Sequence, residues 1–140
     1  MAALTDAPDI RLAIEALIHE HAWLIDHGQA DRVAELYTDD ARLLGIGPDK
    51  IGRDAIAAWA SERAAMTGRC SRHAQSNIRL VPAVAGQVGG TVLLTLYRFD
   101  GRGPGPATPL LVAEYDDLYQ HCPDGRWRFK QRRLTTVFSG

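Results

Sequence analysis

Apolar residues recur at helical spacing through the amino-terminal third of the chain. Ile10, Ile14, Leu17, Ile18, His21 and Ile25 fall on one face of a helix. Asp6 is placed to cap that helix, Pro8 suits its first turn and Gly28 ends it. His19, Trp23 and Asp26 follow at steps of four and three along a neighbouring face. Residues 1–7 carry no periodicity and read as a short mobile arm. A second, shorter helix opens at Asp31 and buries Val33, Leu36 and Tyr37. Thr38-Asp39-Asp40 reads as a turn, Ala41 to Leu44 as a brief strand, and Gly45 to Gly52 as a loop. A third helix runs from Asp54 through Met66, packs on Ile56, Trp59 and the stem of Arg63, and is closed by Gly68.

From Cys70 the period changes from helical to alternating. Strands are predicted over 70–84, 87–100, 110–121 and 127–138, with the Gly- and Pro-rich segment 101–109 as an irregular connection. Three helices followed by long antiparallel strands give an α+β domain. Strands of this length must twist and curve, so helices on the concave side leave a blind pocket. The convex face then carries apolar residues, which points to a homodimer through that face.

The alternation puts His73, Gln75 and Asn77 on one strand face, a titratable imidazole beside neutral amides. The first helix is able to bring a carboxylate to this histidine. The plain alternative is a buried polar pair that ties helix to sheet and does no chemistry.

Charge and cysteines narrow the classes of function. With 16 Lys and Arg against 17 Asp and Glu, the formal net charge is -1, so nothing draws the chain to nucleic acid or to an anionic membrane. Arg126, Arg128, Lys130, Arg132 and Arg133 read as a solvated strand face. Cys70 and Cys122 are far apart, fit no metal spacing and suit a reducing cytoplasm; no signal peptide or bilayer-spanning run is evident. His19 and His21 point different ways on a helix, so no metal site is expected. Without a glycine-rich phosphate loop after a strand, nucleotide binding is unsupported.

Several short motifs occur in a recognisable order: Asp26-x-Gly28, Ala34-x-Leu36-Tyr37-x-x-Asp40-Ala41, Ile51-Gly52-Arg53-Asp54-Ala55-Ile56 and Arg72-His73-x-x-x-Asn77. Tyr115-x-Asp117 and Asp124-Gly125-Arg126-Trp127-Arg128-Phe129-x-x-x-Arg133 complete the set. The chain resembles the SnoaL-like, scytalone dehydratase-like branch of the nuclear transport factor 2-like superfamily over about residues 10–137. The resemblance implies a cone-shaped α+β barrel, with three amino-terminal helices packed on a strongly curved, mostly antiparallel sheet. Its mouth admits a small apolar or amphiphilic ligand.

The resemblance also implies that Asp26 and His73 meet inside the cone as an orienting acid and a general base, with no cofactor. The matching reaction is removal of a proton beside a carbonyl on a cyclic or polyketide-like substrate, followed by dehydration or isomerisation. Asn77 is expected to hold a carbonyl or hydroxyl, Trp23 to supply an aromatic wall, and Trp59 to serve as core or pocket lining. Arg133 is expected either to pair with Asp117 across strands or to reach the cone and bind an acid. Dehydratase relatives bring tyrosines and a second histidine to the pocket, whereas the first strand here has no tyrosine and no histidine lies between Asn77 and Gln120. Tyr97, Tyr115 and Tyr119 are the candidate substitutes. The competing functions are a non-catalytic small-molecule binder and a structural subunit like the small chain of a ring-hydroxylating dioxygenase.

Overall fold

Helix α1 (Pro8–Asp26) is the element about which the sheet is built. The computed structural model describes residues 7–140, so the expected cap Asp6 and most of the amino-terminal arm lie outside the described residues. After α1 come a 3₁₀ helix (Ala30–Leu36), β1 (Tyr37–Leu44), β2 (Lys50–Ile51) and α2 (Arg53–Ala65). The chain continues through β3 (Arg69–Pro82), β4 (Gln87–Asp100), β5 (Leu111–His121) and β6 (Trp127–Ser139). Among the described residues this makes an α+β domain with three helices and one six-stranded mixed sheet, in the order β2-β1-β6-β5-β4-β3.

The sheet does not close into a barrel: β2 and β3 are its two edges. It nevertheless folds around α1. Arg11 of the helix donates to the Ile78 carbonyl on edge strand β3 at 3.1 Å. One turn from the other end, His21 meets Tyr37 of β1 and Phe129 of β6. Ile14 and Ile18 are fully buried against the sheet, each contributing roughly 1.5–3 kcal/mol by removal from water. Gly28, in the left-handed region at φ +75°, turns the chain off the helix as its position predicts.

Two expectations are corrected. The second helix is a 3₁₀ helix, and the strand expected between it and α2 is longer, Tyr37–Leu44, with the short β2 after it. Thr38-Asp39-Asp40 is strand rather than turn. Tyr37 and Ala41 on either side are fully buried, so core packing overrides the turn preference of aspartate, and the exposed acids pair with Arg53 and Lys130. The sheet is mostly antiparallel, as expected, and is mixed because β1 runs parallel to β6, a pairing that no local pattern announces.

Candidate active site

Asp26 is the last residue of α1, where the carbonyl end of the helix dipole disfavours a carboxylate. It is held there by donors from β3. His73 Nδ1 lies 2.6 Å from Oδ1, the His73 backbone N–H donates to Oδ2 at 2.8 Å, and Ser71 Oγ donates to Oδ1 at 2.8 Å. Arg72 donates to the Asp26 backbone carbonyl at 3.2 Å, which satisfies the helix end. The two side chains are withdrawn from solvent, with 6% of Asp26 and 11% of His73 exposed. Burial pushes the Asp26 carboxyl up, but the hydrogen bonds and charge of His73 outweigh it and hold the group below its ordinary value. An ionised Asp26 only accepts, so Nδ1 carries a proton, and in the neutral form of the imidazole Nε2 is the nitrogen that keeps its lone pair.

His73 forms part of the wall of a cavity of about 240 Å³ between α1, α2 and the inner face of the sheet. Most of its lining is apolar, including Ile25, Leu94, Leu96, Leu111 and Leu134. Trp59 lines it from α2. His21 lines it from α1 and spends Nε2 on the Tyr37 hydroxyl at 2.8 Å. Burial, then the charges of Arg132 and His73, keep the His21 imidazole well below its usual range, so it is neutral. Tyr115 also lines the cavity, its phenol pushed up by burial. Tyr119 is buried and donates to Asp117 at 2.8 Å, and Tyr97 alternates to the outer face.

Behind Tyr115 lies a fully buried ion pair. Arg132 Nε and Nη2 donate to Asp117 at 2.9 and 3.1 Å, and the guanidinium sits 3.6 Å from the Tyr115 ring centroid and 4.4 Å from that of Phe129. The expected partner of Asp117 was Arg133. A bulge at Lys130, where Tyr119 faces Phe129 and Leu118 faces Gln131, shifts the parity of β6 and brings Arg132 inward. Arg133 consequently faces Asp116 across the strands, exposed and outside the cavity.

Two other expected residues are also placed outside it. Asn77 adopts φ +53° within an irregularity between Ser76 and Arg79, so the inward face passes from Ser71, His73 and Gln75 to Ile78 and Leu80. Asn77 is the extra residue, turned to solvent; asparagine tolerates this left-handed conformation. Trp23 is 48% exposed and stacks on His27, with ring centroids 4.3 Å apart. Of the six expected site residues, His73 and Trp59 line the cavity and Asp26 holds His73 without lining it, while Trp23, Asn77 and Arg133 lie elsewhere. Sequence reading gave no place in this site to Ser71, His21, Arg63 or Arg98; the alternation 71-73-75 carried the signal for Ser71.

The model of the SnoaL-like domain family matches residues 7–133. The chain belongs to that family. Solved structures similar to this SnoaL-like chain include a putative scytalone dehydratase from Novosphingobium aromaticivorans, at 21% identity and TM-score 0.80, covering 93% of this chain and 85% of that one. ActVI-ORFA from Streptomyces coelicolor is 15% identical with TM-score 0.80, covering 91% and 97%. LinA is 24% identical with TM-score 0.72, covering 91% and 86%. Likeness at this identity establishes the fold. Comparison with curated proteins gives no match. Among the described residues no helix is long and apolar enough to cross a membrane.

Proposed function

We propose that this SnoaL-like protein is a cofactor-free lyase or isomerase acting on a small cyclic or polyketide-like ketone, with His73 as general base and Asp26 as its orienter. The observation that supports this reading is the short contact of Asp26 with His73, which itself lines a mostly apolar cavity. Nε2 takes the proton from the carbon beside the carbonyl, and the C–H electron pair moves into an enolate. Asp26 steadies the imidazolium and fixes its tautomer, an arrangement worth roughly 10²–10⁴ in rate for general-base catalysis. In dehydration the enolate expels a β-hydroxyl, which leaves as water with the proton returned by His73. In isomerisation the proton returns to a different carbon. The apolar lining weakens competing solvation and strengthens the charge interactions inside. A homodimer through the outer sheet face, where Leu93, Tyr97, Val112 and Leu118 are half-buried, is part of the proposal. Sedimentation equilibrium tests it.

Deuterium uptake from solvent beside the carbonyl of α-tetralone tests the chemistry. The protein should accelerate uptake and His73→Ala should abolish the acceleration. Tetralone that binds without exchanging would favour a non-catalytic binding protein, and a His73→Ala variant that exchanges like wild type would remove His73 from the reaction.

A further inference from the structure

The inner face of the sheet changes character toward one end of the cavity. Along β4 it runs Leu94, Leu96, Arg98, with alternate residues facing inward. Arg98 stands directly across from Ser71 of β3, and Asp100 across from Arg69. From the last turn of α2, Arg63 reaches the same Ser71, donating to its Oγ at 3.0 Å. Three guanidiniums therefore line this end of the cavity, against one carboxylate, Glu62.

Their partners are unequal. Asp100 holds Arg69 with two hydrogen bonds, at 2.8 and 3.1 Å. Arg63 and Arg98 form no ion pair among the described residues. Asp26, the nearest buried acid, is occupied by His73 and Ser71, and Glu62 lies close enough to Lys50 to support its charge. Burial, followed by the charge of Arg69, lowers both Arg63 and Arg98 from the ordinary guanidinium value. Arg63 is half-buried and Arg98 is exposed, so the like charges meet where the cavity opens to water, and a bound anion offsets their repulsion. Arg69 and Asp100 cancel, and Glu62 and Asp26 balance the other two guanidiniums in number while engaging Lys50 and His73, so the donors left over suit a singly charged group better than a phosphate dianion.

We propose that this end of the cavity is an anion subsite: the substrate carries a carboxylate gripped by Arg98 and Arg63, while its apolar body lies along Leu94, Leu96 and Leu111. The inference names the substrate class of the site above and rests on that reading for the role of His73. A planar carboxylate matches the donor fork of arginine, and its charge-assisted hydrogen bonds are the strong ones. The acid anticipated for Arg133 thus meets two different arginines.

Calorimetric titration with trans-cinnamate and cinnamamide, which share a shape and differ in charge, tests the proposal at neutral pH. The acid should bind at least tenfold tighter than the amide. Arg98→Gln should cut acid affinity about tenfold and leave the amide unchanged, while Arg98→Lys keeps part of the preference. Undetectable cinnamate binding, equal binding of acid and amide, or a preference that survives both Arg98→Gln and Arg63→Gln overturns the subsite. The preference should persist in His73→Ala. Acid preference without tetralone exchange removes the catalytic reading and keeps the subsite; exchange without acid preference does the reverse.

Discussion

Replacing Asp26 by asparagine alters one charge at the point where α1 is fastened to β3. The carboxylate takes three donors, His73 Nδ1 at 2.6 Å and the His73 backbone N–H and Ser71 Oγ at 2.8 Å each. With 6% of the side chain exposed, those donors have little water to turn to. An amide keeps one acceptor oxygen and points an NH₂ at the donors that faced the other. Hydrogen bonds to a charged group contribute roughly 1.5–3 kcal/mol each, so losing one and weakening the rest costs about 2–4 kcal/mol. For a chain of this length that lowers Tm by roughly 6–12 °C. Urea unfolding followed by circular dichroism measures it, first at neutral pH and then in acid. Because the folded-state pKa of Asp26 lies below the unfolded value of 3.8, its contribution is fully present above that value and is lost as pH falls through the folded one. The gap between wild type and Asp26→Asn should therefore be largest near neutrality and narrow below about pH 4. A variant as stable as wild type at neutral pH, or a gap that widens in acid, refutes the reasoning.

Asp117→Asn should cost about 3–5 kcal/mol in thermal unfolding, because it leaves the fully buried Arg132 charge without its counter-ion. The paired replacement Asp117→Leu with Arg132→Met should recover most of that loss, and a single variant losing under about 1 kcal/mol would count against a buried ion pair. Gly45→Ala should destabilise by about 2 kcal/mol or more, since Gly45 sits at φ +85° and an added Cβ would run into the Leu134 carbonyl. Because Leu134 lines the cavity, weaker cinnamate binding should accompany the loss; an alanine variant that unfolds like wild type contradicts the close approach.

Much of the architecture was legible because it is locally encoded. Ile14, Leu17, Ile18 and His21 recur at helical spacing and all are buried, and the four long strands begin and end within about two residues of where the alternation stops. The meeting of Asp26 and His73 was legible only through the motif resemblance, since a helix end and a strand start 47 residues apart in sequence share no local signal. Arg63 and Arg98 were given no place in the site for a related reason. Arg98 reads as an ordinary strand arginine and Arg63 as a helix residue packed by its stem, until α2 and β4 bring both to Ser71.

Residue order alone determined helix α1, its stop at Gly28, the period-two strands and their antiparallel connections. Each depends on near neighbours through the 3.6- and two-residue periods of the backbone. Tertiary structure alone decided which side chains those strands present to the cavity. The bulge at Lys130 exchanged Arg133 for Arg132, and the irregularity at Asn77 turned that side chain to solvent. Alternation holds only while paired strands advance residue for residue. A single inserted residue reverses the facing of everything beyond it, and whether one is inserted is settled by the partner strand.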